Sequence, residues 1–129
     1  MLDIKMRTIN HDEHPYPTVG NYADTQTGGR LITVSGMANE DYEFLVALHE
    51  LIESQLCKKR GITNEDINAF DIQFEKEREE GKHKDDEEPG FDPKAPYVRE
   101  HTLATRIEKM VAKELGVDWT AYDNTVMSL

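Results

Sequence analysis

The order of apolar and polar positions divides the chain into a strand-like beginning and a helical remainder. Leu2, Ile4 and Met6 alternate with Asp3, Lys5 and Arg7, the period of two expected of a strand with one face buried. "TVGNYADT" and "RLITVSG" flank Gly28-Gly29 and read as a hairpin, because paired glycines tolerate the positive φ of a tight turn. The polar, proline-marked "NHDEHPYP" before them reads as a loop. Residues 1–36 are therefore expected to form a small antiparallel sheet of about three strands.

From residue 40 the period lengthens. Asn39 is a good N-cap, Glu40 and Asp41 suit the positive end of a helix dipole, and Lys58, Lys59 and Arg60 precede Gly61, which brackets a helix over about 40–60. Thr63 caps a second helix, about 63–79, with Ile67, Phe70 and Phe74 at helical spacing. The glycine, proline and charge content of about 80–96 predicts a long acidic loop. A third helix is expected over about 97–115, ending at Gly116. "VDWTAYDNTVMSL" adds a short one capped by Asp118, with Trp119, Tyr122 and Val126 turned inward. The fold class that follows is α+β: the sheet packed on three to four helices, in a single domain spanning 1–129.

Composition narrows the function. A length of 129 residues with 37% hydrophobic side chains supports one modest core. No run approaches the ~18 apolar residues that span a bilayer. "MLDIKMRTIN" carries charges where a secretory signal has its apolar stretch. The lone cysteine, Cys57, has no disulfide partner and reads as a small buried hydrophobe, so a reducing, cytoplasmic setting is expected. A formal charge of -11 argues against a broad nucleic-acid surface, which needs lysine and arginine. Much of the acidity lies in "FEKEREEGKHKDDEEPG" and reads as solvation.

The candidate chemistry lies in "ALHELIESQLC". On a helical wheel Leu45, Leu48, Ile52 and Leu56 make the main apolar arc, extended by Phe44 and Leu51. His49 falls at its edge, and Glu53 sits between Val46 and Cys57. A carboxylate among apolar side chains must be neutralised, paired or bound to a metal. His49 and Glu53 are four residues apart and reach one point above the helix; Glu50, the residue after the first donor, is placed as a general base. On the third helix Ala104, Ile107, Val111 and Leu115 form the apolar face, with His101 and Glu108 on its flank and Glu100 pointing inward. If the two helices pack face to face, His49, Glu53 and His101 make a His2Glu set for zinc or another divalent transition metal. Glu108 or Glu100 would be a fourth ligand or an outer hydrogen-bonding partner. The same residues also fit a metal-free hydrogen-bonded core. Asp71 is a further candidate, and His11 and His14 in "HDEH" resemble a ligand pair, although turn chemistry explains a polar loop before Pro15 more simply.

At "HELIE" the sequence resembles the zincin metallopeptidases, whose active helix carries H-E-x-x-H after a mixed sheet. The resemblance implies His49 as first zinc ligand, Glu50 as the base that activates water, Glu53 in place of the second histidine, and His101 as the downstream ligand. It also implies a zincin-like layout. More of the chain, from about Tyr16 to Tyr122, is similar to small phage and prophage proteins through "TVGNY", "YEFLVALHELIESQLCKKRGI", "FDIQFE", "EPG", "APY" and "LGVDWTAY". The leading expectation is a metal-dependent hydrolase, peptidase-like, with "RLITVSG" lining the cleft and pairing with an extended peptide. Two alternatives stand beside it. One is a magnesium-dependent nucleotide pyrophosphatase using Glu50 and Glu53 as E-x-x-E; the other is a non-catalytic phage accessory protein with a structural metal or a polar core cluster.

Overall fold

The computed structural model describes residues 1–129. Strands β1 (Ile4–Ile9), β2 (Gly20–Asp24) and β3 (Arg30–Ser35) are followed by helices α1 (Glu40–Arg60), α2 (Asn64–Glu79), α3 (Val98–Glu114) and α4 (Trp119–Met127). The fold is α+β, as the hydrophobic pattern implies. The sheet is mixed rather than antiparallel. β3 lies in the centre, antiparallel to β2 (Tyr22 opposite Ile32) and parallel to β1 (Met6 opposite Ile32). The reason is the loop after β1, long enough to carry the chain past the position β3 fills, so the hairpin's second strand inserts between β1 and β2. With both edges of β3 paired, "RLITVSG" has no free edge for a peptide.

β2 and β3 are joined through a turn in which Gly28 takes a φ of 85°, the left-handed region that the glycine pair suggests. β1 is an edge strand. Leu2 and Met6 are exposed, because α1 crosses β3 and β2 and leaves β1 uncovered.

The helix ends follow their caps. The Asn39 side chain accepts from the Tyr42 amide, Thr63 from Asp66, and Asp118 from Ala121; Gly61 closes α1 at a φ of 72°. Ile32 and Val34 of β3 pack on Leu45, Val46 and Ala47, with Ala112 and Tyr122 closing this cluster. A second cluster joins Cys57, Ile67, Ala95 and Tyr97.

The buried line of α1 is not the leucine arc. Of that arc only Leu45 is fully buried; Phe44 is exposed and Leu48, Ile52 and Leu56 are half-buried, whereas Val46, His49, Glu53 and Cys57 are buried. Sheet and α3 press on α1 from two sides, and the side nearest both is the one carrying the histidine and the glutamate. α3 answers with Glu100, Ala104, Glu108 and Ala112, each four residues after the last, and its two alanines let the helices approach closely. Ile107 and Val111 are half-buried flanks and Leu115 is exposed. No helix is long and apolar enough to cross a membrane.

Candidate metal centre

The α1–α3 seam brings three donor atoms together. Nε2 of His49 lies 2.9 Å from Oε2 of Glu53 and 3.0 Å from Nδ1 of His101, and that Nδ1 lies 2.9 Å from the same glutamate oxygen. The result is a nearly equilateral triangle of two imidazole nitrogens and one carboxylate oxygen. His49 is 8% exposed and Glu53 4%.

The rest of His49 is fixed by a relay to α4. Its Nδ1–H donates to Oε1 of Glu108 at 2.8 Å, and the Tyr122 hydroxyl donates to Oε2 of Glu108 at 2.5 Å. With the proton on Nδ1, a neutral His49 turns the lone pair of Nε2 toward a carboxylate and a second imidazole. Three electron-rich atoms converging within hydrogen-bond distance require positive charge between them, supplied by protons or by a metal ion. Burial disfavours the charged form of both imidazoles, yet bonds to Glu108 and Glu53 hold His49 well above its usual range, and bonds to Glu53 and Glu88 push His101 up to about 9. Burial likewise opposes the charge on Glu53, but its contacts to the two imidazoles pull its carboxyl down.

The triangle also suits a metal. Donors of a tetrahedral zinc ion at ~2.0–2.1 Å lie about 3.3 Å apart, so a spread of a few tenths of an ångström admits an ion capping the three atoms. Two imidazoles and a carboxylate match zinc and its divalent neighbours. A histidine ligand whose far nitrogen donates to a carboxylate is the usual outer arrangement of such sites. His101 is fixed as well: the turn Pro89–Phe91 lies against its ring, where a Cβ on Gly90 would overlap the imidazole, and Phe91 packs edge-on at 4.5 Å between centroids.

A cavity of about 420 Å³ opens beside the triangle, lined by His49, Glu53 and His101 and by Glu50, Tyr16 and Asp71 among others. Glu50 faces it without a side-chain hydrogen bond; burial, then the nearby Glu53 charge, raise its carboxyl well above the usual range. Gly20 permits this arrangement, since a Cβ there would come 2.9 Å from Glu50 Cγ. Asp71 accepts from the hydroxyls of Tyr97 and Tyr16 on its two oxygens, and burial lifts it to about 6.

The structure thus gathers His49, Glu53 and His101 as the spacing predicts, with Glu50 alongside. Of the two places offered for Glu108, fourth ligand or outer hydrogen-bonding partner, the geometry matches the second, because it meets the face of His49 turned away from the triangle. Glu100 is also removed from the site: it is buried, but its carboxylate pairs with Arg60 at 2.5 Å. His11 and His14 stand apart, each with one nitrogen 2.9 Å from Ser35 Oγ, which ties the polar loop to the end of β3. Cys57 is buried as expected. Sequence reasoning missed Tyr122, Tyr16, Tyr97 and Glu88. Only the inward placing of Tyr122 hinted at the first; the others come from irregular segments that periodicity does not address.

These proton-bearing groups set a pH dependence. Between the unfolded imidazole value of 6.5 and the folded value of about 9 for His101, the folded chain keeps protons that the unfolded chain releases, and the raised Glu50 acts in the same direction. Unfolding free energy then falls as pH rises, by about 1.4 kcal/mol per pH unit for each proton retained. The lowered Glu53 contributes only at acid pH, where its stabilisation is lost as pH falls. Chelator-treated protein should melt at progressively lower temperature from pH 6.5 to 9, while zinc-loaded protein should not, because the ion replaces the protons. A flat profile for the chelated protein would show that the cluster holds no extra protons.

No protein family, no curated protein and no solved structure matches the chain.

Proposed function

We propose that this protein is a small metal-dependent hydrolase. It would hold one divalent ion, zinc by its donor set, on His49, Glu53 and His101, with Glu50 as general base. The triangle of donor atoms at 2.9–3.0 Å beside an open cavity is the observation that carries this reading. Three protein ligands leave a position for water, as catalytic rather than structural sites do. The ion would bring the pKa of that water toward ~7 and polarise the bond under attack. Glu50 makes no side-chain hydrogen bond and burial raises the basicity of its carboxylate, so once the nearby cation favours its ionised form it is suited to accept the proton.

A peptide-like substrate is favoured by β2. Ser35 and Thr25 donate their amides to Val19 and Gly29, so odd-numbered residues of β2 pair with β3. Tyr22 therefore turns its backbone N–H and C=O to the open edge, and its side chain borders the cavity. The E-x-x-E pyrophosphatase reading is weaker on the same geometry, because two imidazole nitrogens converge with Glu53 and magnesium prefers an all-oxygen ligand set. Action in the cytoplasm, in a phage or bacterial setting, accords with the resemblance carried by the α1 sequence.

Elemental analysis of protein purified without added metal tests the reading, with about one equivalent of zinc or a neighbouring divalent ion per chain expected. Folded wild-type protein that carries no such ion, and takes none up from micromolar zinc, would overturn it.

A further inference from the structure

The electrostatics of the cavity are one-sided. Seven carboxyl groups line it, Glu50, Asp71, Glu88 and Asp123 among them, against Lys109 and the imidazoles of His49 and His101, with no arginine. The ammonium of Lys109 sits 5.2 Å over the Trp119 ring. A bound dication leaves the balance negative, so phosphate or carboxylate groups entering the cavity meet repulsion, and a cation meets attraction.

Within this field Asp71 occupies a particular position. It is 8% exposed, and Tyr97 and Tyr16 satisfy one hydrogen bond on each oxygen. Neither hydroxyl carries charge, and no ion pair compensates the carboxylate. A carboxylate offers about four lone-pair sites, so roughly two remain for a further donor. Asn64 and Asn68 lie on the same cavity-lining face of α2, seven and three residues before Asp71, and supply amide oxygens. Tyr16, Tyr22 and Tyr97 supply aromatic walls. Charge, spare acceptors and aromatic rings in one lining suit an alkylammonium group, which needs an opposite charge, acceptors for three N–H bonds and apolar or aromatic surface for its alkyl chain.

We infer that the cavity selects substrates bearing an ammonium group, with Asp71 as its counter-ion and the two asparagines and the tyrosines completing the subsite. This inference deepens the hydrolase reading and rests on it for the identity of the cavity as a substrate site. The ammonium could belong to the α-amine of a peptide or to a lysine side chain, which share this chemistry.

The test is an NMR titration of zinc-supplemented full-length protein with three isosteric probes: n-butylammonium, 1-butanol and butyrate. Butylammonium should bind at least tenfold more tightly than butanol, with shifts in the Asn64–Asp71 amides, and butyrate should bind more weakly than either. Asp71→Asn should remove the tenfold preference, and Asp123→Asn, at the Trp119 end, should keep it. Titration with Leu-Leu-amide and with Nα-acetyl-lysine-methylamide then identifies the source, the tighter of the two being the natural mimic. Butanol or butyrate binding as well as butylammonium overturns the inference. So does a preference that survives Asp71→Asn. The wild-type series decides alone if that variant fails to fold. Protein with zinc but without amine preference refutes this inference only; amine preference in protein that takes up no metal refutes the hydrolase reading only.

Discussion

Glu50→Gln should leave the protein folded and metal-loaded while lowering hydrolytic turnover by about 10²–10⁴-fold, the range that a positioned general base contributes. Glutamine keeps the shape of the side chain but has no basic oxygen. Glu50 makes no side-chain hydrogen bond and lies outside the donor triangle, so neither fold nor metal should depend on its charge. Removing a buried carboxyl that resists ionisation should, if anything, raise the melting temperature near neutral pH. The check is turnover of a peptide and ester panel by wild type and variant, on the proposed hydrolase reading, with metal content measured on the same preparation. Unchanged turnover would remove Glu50 from the chemistry; lost metal would make it a ligand.

His49→Ala has the widest consequences, because one imidazole serves the triangle through Nε2 and the Glu108–Tyr122 relay through Nδ1. Losing an outer partner of a metal ligand costs ~10–100-fold in affinity, and losing the ligand itself should cost more. Zinc affinity by chelator competition should therefore fall in the order wild type, Glu108→Gln, His49→Ala, with turnover following metal occupancy. Stability should suffer too. The alanine leaves Glu53 and Glu108 buried without the group between them, and breaking such a buried pair costs ~3–5 kcal/mol. His101→Ala separates the two effects, since it removes a ligand and leaves the His49 bonds to Glu53 and Glu108 in place. It should lose the metal and still melt cooperatively. Equal losses in Glu108→Gln and His49→Ala would return Glu108 to the ligand set.

The helices were legible because their ends are written in local chemistry. Asn39, Thr63, Asp118 and Gly61 each bond as their residue types imply, so the element bounds follow within a residue or so. The pairing of His49 and Glu53 with His101 was legible because it needs only helical spacing and one packing assumption. Strand direction was not. Alternation in β1 says which residues share a face, but it is silent on which neighbour the strand will meet, and the parallel pairing with β3 depends on the path of a loop. Nor could a wheel reveal that Val46, His49, Glu53 and Cys57 would be buried more deeply than Leu48, Ile52 and Leu56, since that depends on what presses on α1 from either side. Asp71 was a candidate from the sequence, but its tyrosines escaped for a related reason: Tyr16 and Tyr97 arrive from segments outside the regular elements, and only folding brings them to one carboxylate.

The small residues of α3, Ala104 and Ala112, bring two helix backbones close, and at that intimate contact the chain places His49, Glu53, His101 and Glu108 instead of aliphatic side chains. Well-packed apolar replacements for a buried charged group are commonly neutral or stabilising by ~1–4 kcal/mol. Cohesion alone would favour leucine or methionine at these positions. A lineage released from the proposed chemistry would be expected to drift toward an oily, sturdier and inert version of the same fold.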